Sequence, residues 1–461
     1  MVNLVRYPKA FSVSFRDMER WSVAFFRQVQ WKWPNDVMNA LGSCLLKVRV
    51  PVEYCPEGAP IIEKITFGGE LSLLPEEKRK GYKGKLFRAE SGQLIYSKIR
   101  VKQGSVCVVP DSHQWIAVSS EYPVYSLDKS KIDAAYLELV LRSSAFKHYL
   151  DGLSHGGSTK TRIAPTEFER LRIPIPSLPI QKAIIEFWHK MNQDYAGKLE
   201  KIRMLDDQCY RLVHAYLGIS LTSSSQEKKI GNMFVLRFAN AKRWSFEYNK
   251  RVLSGQEQIR TGSYKFLPLG QLCQGQSGST PSKKNPNFWE GGKIPWVSPK
   301  DMKMRYIMDS QDHISLHAIE HNSSPIVNRG SILFVVRSGI LQRMVPVAMT
   351  QVDVSINQDI RAFTPKTDEI LPEFLLIYFE TKQDDLLRLV KWSTTVQSIN
   401  KESLEAFPIP IPPKYVQEKI ITEVTEIRNK IELLRDEAYY IRQNAESKLE
   451  DMILGFLPIT C

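Results

Sequence analysis

Two long stretches of the chain carry a stripe of mostly apolar positions at alternating intervals of four and three residues. In the first stretch the stripe is Ile184, Trp188, Met191, Tyr195, Lys198, Ile202, Leu205, Cys209, Leu212 and Tyr216. In the second it is Ile420, Val424, Ile427, Ile431, Leu434, Ala438, Ile441, Ala445, Lys448 and Met452. Four-three spacing held over several heptads is the seam of a coiled coil, because a repeat of 3.5 residues returns the same face to a partner helix. Lys198 and Lys448 interrupt the stripes. In an antiparallel pairing they are expected to snorkel at the ends or to face acidic partners. Equal length and register predict that the two helices pair with each other. A helix of about 36 residues spans about 54 Å.

The two stripes belong to a tandem repeat. Residues 173–184 read IPIPSLPIQKAI and residues 409–420 read IPIPPKYVQEKI, an offset of 236. Alternating Ile-Pro imposes an extended path, since proline fixes its own φ and restricts the residue before it. Just upstream, residues 166–169 and 402–405 are loosely alike. Residues 11–22 and 234–245 share F-x3-F-x4-R-W-S at an offset of 223. Gly92 and Gly330 each read as a glycine turn entering an apolar strand. These landmarks divide the chain into a module at 1–176, a helix and linker at 177–230, a second module at 231–412 and a C-terminal helix at 413–461. The predicted fold class is α+β: two α/β modules separated by two long helices that form an antiparallel coiled coil.

Charge adds a direction to this frame. The 461 residues carry a formal net charge of +13. The modules hold the excess, +8 in 1–176 and +5 in 231–412, against +2 in 177–230 and −2 in 413–461. Local cation density is what neutralising phosphates requires, so a polyanion surface is expected on the modules. No apolar run reaches 18 residues, which argues against a membrane-spanning helix, and the first residues lack the features of a secretory signal. The six cysteines (Cys44, Cys55, Cys107, Cys209, Cys273 and Cys461) are scattered, with no CxxC pair. They fit free thiols in a reducing cytoplasm.

Catalytic signatures are missing. The NPNF at 285–288 lacks the second proline of an amino-methyltransferase motif and has no glycine-rich cofactor loop beside it. Residues 156–161 have the composition of a phosphate loop without its order, and the eight histidines show no metal-ligand spacing. Glu446 and Lys448 sit within the predicted coiled coil and read as solvated charge. No catalytic residue, metal ligand or cofactor site is assigned.

Three features together resemble the specificity subunits of type I restriction–modification systems. The first is the pair of IPIP junctions, from Ile173 to Ile184 and from Ile409 to Ile420, each leading into a long helix. The second runs from Gly278, Ser279, Thr280, Pro281 and Ser282 through Asn285, Pro286, Phe288, Trp289, Gly291 and Gly292 to the IPWVS at 294–298 and then Asp301 and Met302. It is similar to the opening of many target-recognition domains. The third is the polar loop at 393–400. The first module lacks a GxTPS…WVS stretch at 41–90 and so departs from this pattern. The resemblance implies two target-recognition domains reading a two-part site on double-stranded DNA. It implies a non-catalytic subunit with two modification subunits, which hold S-adenosylmethionine and methylate adenine. Two restriction subunits would bring ATP and Mg. The alternatives are the recognition subunit of a combined restriction–modification enzyme, a coiled-coil scaffold without DNA binding, and a stand-alone enzyme.

Candidate DNA contacts follow from exposed-looking basic and small polar loops. In the first module they are Lys83, Lys85, Arg88, Lys98, Arg100, Ser158, Thr159, Lys160 and Arg162. In the second they are Ser279, Thr280, Ser282, Lys283, Lys284, Ser298, Lys300, Arg337, Arg343, Lys391, Thr394, Thr395 and Gln397. Arginine in such loops suits the guanine edge through its bidentate fork. Trp296 reads more readily as a core aromatic than as a DNA contact.

Overall fold

The computed structural model describes residues 31–52, 59–79, 82, 84–153, 162–219, 262–321, 324–393 and 396–457. The two F-x3-F-x4-R-W-S landmarks lie outside the described residues. The chain forms two compact units, residues 1–199 with 436–461, and residues 200–435. The sequence boundaries at 177 and 413 therefore cut between segments that packing joins. A helix with one apolar stripe buries it only against a partner, so each unit takes half of each long helix.

In the first unit the paired strands among the described residues are antiparallel, with one parallel bridge between Ile61 and Ala117. A four-stranded sheet has the order Leu45–Val48, Val124–Leu127, Leu94–Tyr96 and Val106–Val108. A three-stranded sheet has the order Val50–Pro51, Leu86–Glu90 and Trp115–Ser119. Leu94, Ile95 and Tyr96 are fully buried, as the apolar run after Gly92 predicts. The Tyr96 ring stacks on Phe168, with centroids 4.1 Å apart, and its hydroxyl donates to the Ile163 carbonyl.

In the second unit the head has a five-stranded sheet, ordered Cys273–Ser277, Ile360–Pro365, Ile332–Val335, Val347–Thr350 and Tyr306–Ile307. A four-stranded sheet follows the order Asp312–Ile314, Ile294–Val297, Val354–Ile356 and Ile326–Val327. Each sheet contains one parallel pair. The run after Gly330 forms the buried strand Ile332–Val335, and Phe334 packs edge-on against Phe363 and Phe379.

The repeat persists at the level of single hydrogen bonds. In the first unit the IPIP segment pairs as Met38↔Pro174; in the second it pairs as Phe266↔Pro410. The shared glutamine then closes each junction from inside. Gln181 donates to the carbonyls of Pro176 (2.7 Å) and Lys131 (2.8 Å) and accepts from the Asp133 amide (2.8 Å). Gln417 donates to Pro412 (2.9 Å) and Glu369 (2.8 Å) and accepts from the Leu371 amide (2.8 Å). Both side chains are fully buried. Such a position needs a side chain with a donor and an acceptor at one end, which is what an amide supplies.

The long helices span Leu178–Leu217 and Lys414–Leu454. Each ends at a glycine in the left-handed region, Gly218 (φ 61°) and Gly455 (φ 84°). The next amide reaches back, Ile219 to the His214 carbonyl and Phe456 to Asp451, both at 2.9 Å. This closure satisfies terminal carbonyls and favours a residue without Cβ. The helices pair antiparallel in both units. In the first, Lys198 meets Glu437 and Asn192 meets Arg442. In the second, the Tyr216 hydroxyl donates to Glu423 at 2.6 Å, while Leu205 and Leu434 line one hollow. Lys198 thus faces an acidic partner, as expected. Lys448 does not lie in the seam: it is exposed, and Leu449 is buried in its place. Near that end the helix also packs on the head, where Leu449 and Ile453 join its core, so the stripe turns toward it.

Candidate nucleic-acid interface

In the first unit the interface is organised by the turn at 119–122. The Lys98 amide donates to the Glu121 carbonyl (3.1 Å), and the Lys98 carbonyl accepts from the Ile163 amide (2.9 Å). Three chain segments therefore meet: the turn after the strand Leu94–Tyr96, the turn at 119–122, and the segment entering at Arg162. Strand register brings a fourth, because Leu86 pairs with Ser119 and leaves exposed Lys85 at the same end of its sheet.

The side chains there differ in how they are engaged. Arg162 pairs with Glu121, and the Lys98 ammonium donates to the Ser120 carbonyl. Burial, then the nearby charges of Arg162, Lys47 and Arg49, lower the pKa of Lys98, with Glu121 opposing. Arg100 is exposed and close enough to Tyr122 to oppose the upward push that burial exerts on that phenol. Arg88 is half-buried, lies over the Trp115 ring (5.3 Å) and pairs with Glu90 (3.1 Å). Lys83, Ser158, Thr159 and Lys160 lie outside the described residues. Lys47 and Arg49 were missed by sequence reasoning. The alternation KVRV at 47–50 signals a strand, and nothing local reveals that the strand runs beside Lys98.

In the second unit the turn at 278–282 follows the strand Cys273–Ser277. A Cβ at Gly278 would overlap the Ile356 carbonyl, so only glycine lets this turn approach the neighbouring strand. The Ser279 amide donates to the Ile356 carbonyl (3.0 Å), and its own carbonyl accepts from the Trp296 indole (3.0 Å) and the Ser324 hydroxyl (3.2 Å). Trp296 is buried and acts as a brace for the turn. Thr280, Ser282, Lys283 and Lys284 are exposed, and Thr280 bonds Gln358. Beside Gln358, Asp359 accepts from Arg337 Nε (2.7 Å). A bridge between Arg337 and Ser398, and a bond from the Ser338 amide to the Gln397 carbonyl (3.2 Å), bring in the loop that begins at Lys391. The turn, the Arg337 loop and this hairpin therefore converge. Arg343 and Lys391 are exposed, as is Trp392 (68%), which sequence reasoning also passed over.

Two of the expected contact residues are buried, and others are engaged within the fold. Ser298 is buried, and its amide and hydroxyl both donate to Asp301 Oδ2 (2.9 and 2.8 Å), so it closes a turn and presents nothing to a ligand. Gln397 is buried as well, because its loop packs back on Ser338. Lys300 is exposed but paired with Asp312 (2.7 Å), a bond that raises its pKa. Asn285 caps the short turn Pro286–Phe288 through its side-chain oxygen, a structural role for the NPNF segment. Thr394 and Thr395 lie outside the described residues. Among the described residues no cluster of His, Cys, Asp and Glu has the makings of a metal site. Cys44, Cys107, Cys209 and Cys273 are free and buried, and burial pushes the Cys44 thiol up to about 11.

A family model for the type I restriction modification DNA specificity domain matches residues 80–202 and 262–440, more than half of the chain. The chain belongs to that family. Among curated relatives, this specificity chain is 35% identical over 188 residues to the type I restriction enzyme EcoR124I/EcoR124II specificity subunit of Escherichia coli, covering 41% of this chain and 44% of that one. It is 27% identical over 230 residues to the MjaIX specificity subunit of Methanocaldococcus jannaschii, covering 49% and 50%. The chain thus spans about half the length of these relatives. It shares its fold with a chain from a solved type I R-M system, with a TM-score of 0.57, 15% identity, and coverage of 91% and 98%. Among the described residues no helix is long and apolar enough to cross a membrane.

Proposed function

We propose that this chain is the DNA-recognition subunit of a type I restriction–modification enzyme, each unit reading one half of a two-part duplex site. The observation that carries the reading is the convergence, in each head, of segments distant in sequence on a solvent-facing group of cations and small polar residues. The heads share a frame but expose different side chains, which suits two readers of different sequence.

The long helices set the separation of the half-sites, and two modification subunits dock on the assembly and methylate adenine. S-adenosylmethionine binds to those subunits, and ATP and Mg bind to two restriction subunits. This chain itself contributes no catalytic group and holds no cofactor, and it works in the cytoplasm on double-stranded DNA. The experiment is to express the chain with its modification subunits in cells lacking other adenine methylation and to sequence the modified bases. A methylated motif in two parts with a fixed spacer is expected. Methylation without such a motif, or none, counts against the reading.

A further inference from the structure

The cations of the first unit are not equivalent. Arg162 is spent on Glu121, Arg88 on Glu90, and Lys98 on a carbonyl. Lys47 and Arg49 differ. Both are exposed, and neither side chain has a hydrogen bond or ion pair to any described residue. They sit two residues apart along the edge strand Leu45–Val48 and its continuation toward Val50–Pro51. Arg49 also has a platform: its guanidinium lies over the Phe87 ring, 5.0 Å from the centroid. Phe87 in turn pairs with Pro51 and Val118 across the three-stranded sheet, so the platform is rigid.

Stacking leaves the in-plane N–H groups of a guanidinium unspent and removes much of the freedom its long side chain would lose on binding. A flat, pre-oriented fork with free donors matches the O6 and N7 acceptors of guanine in the major groove. We propose that Arg49, braced on Phe87, reads a guanine in the half-site of the first unit, with Lys47 beside it contacting backbone phosphate. The proposal rests on the DNA-reading function above. A rival role for a basic edge strand is to keep that edge from pairing with other chains. Charge alone serves that role, so lysine would do as well as arginine.

That difference makes the test. The full chain and its modification subunits are expressed with Arg49→Lys, Phe87→Leu or Lys47→Ala. Methylated bases are sequenced, and affinity for the wild-type site is measured at several salt concentrations. Arg49→Lys should make one guanine position of one half-site degenerate, leave the other half-site intact and weaken binding about 10-fold. Phe87→Leu should act in the same direction. Lys47→Ala should leave the motif unchanged and reduce the salt slope by about 1. An Arg49→Lys chain with wild-type motif and affinity overturns the proposal, as does equal loss at both half-sites. If the wild-type chain directs no two-part motif, the function proposed above fails, whatever Arg49 does.

Discussion

Gln181 and Gln417 show how much a single side chain carries in this fold. Replacing either by alanine strands one buried amide and two carbonyls that the side chain now satisfies. Each replacement should cost roughly 2–4 kcal/mol. Urea unfolding of the full chain measures this, and a loss under about 0.5 kcal/mol would refute the bracketing role. Gly278→Ala should act on recognition instead, because the added Cβ overlaps the Ile356 carbonyl and displaces the turn bearing Thr280, Ser282, Lys283 and Lys284. The expected result is degeneracy confined to the half-site of the second unit, seen by sequencing methylated bases. Arg100→Ala, which removes an exposed cation of the first unit, should weaken only the other half-site, and equal loss at both in footprints would contradict the division of labour.

At the scale of elements, the far end of each long helix is tied to a head. Glu450 accepts from the Ser144 amide (3.1 Å), at the start of the helix Ser144–Leu153. His214, at the same repeat position, sits 2.7 Å from the Lys382 ammonium, just before the helix Gln383–Leu387. With Nδ1–H donating to the Tyr210 carbonyl (2.8 Å), His214 Nε2 must accept from Lys382, so the ring is neutral. Burial, and to a lesser degree Lys382, hold its pKa below the usual 6.5. The unfolded chain therefore binds a proton more readily, and this contribution to stability is present above about pH 6.5 and lost as pH falls below it. Melting of the full chain at pH 7.5 and 5.5 should show a smaller acid-side drop for His214→Gln than for wild type; equal drops would refute the assignment. Lys198→Glu should cost under about 1 kcal/mol, because its pair with Glu437 is part-exposed, and Glu437→Lys in addition should restore stability.

For the whole molecule the testable quantity is length. Each helix of about 40 residues is about 60 Å long. Deleting one heptad from each arm, in register, removes about 10 Å and should shorten the spacer of the methylated motif by about 3 base pairs. An unchanged spacer would exclude the helices as the ruler. Overall charge does not bear on this, since the excess cations lie in the modules and the C-terminal helix segment is net acidic.

Periodicity, duplication, the junctions and the overall class were decided by the sequence itself. They follow from local stereochemistry and from one rule, that a stripe of apolar side chains must be buried. Even there Lys448 escaped, because its neighbour Leu449 answers to the head as well as to the partner helix. Much of the candidate site was legible as composition: Arg100, Arg162, Thr280, Lys283, Arg337 and Arg343 are exposed at loops or turns. Only the tertiary structure decided which polar groups are spent, turning Ser298 inward onto Asp301, pairing Lys300 with Asp312, and setting Lys47 and Arg49 beside Lys98. Ser298 and Asp301 are only 3 residues apart, but Lys300 and Asp312 are 12 apart, and the approach of Lys47 and Arg49 to Lys98 depends on strand register that no local pattern encodes.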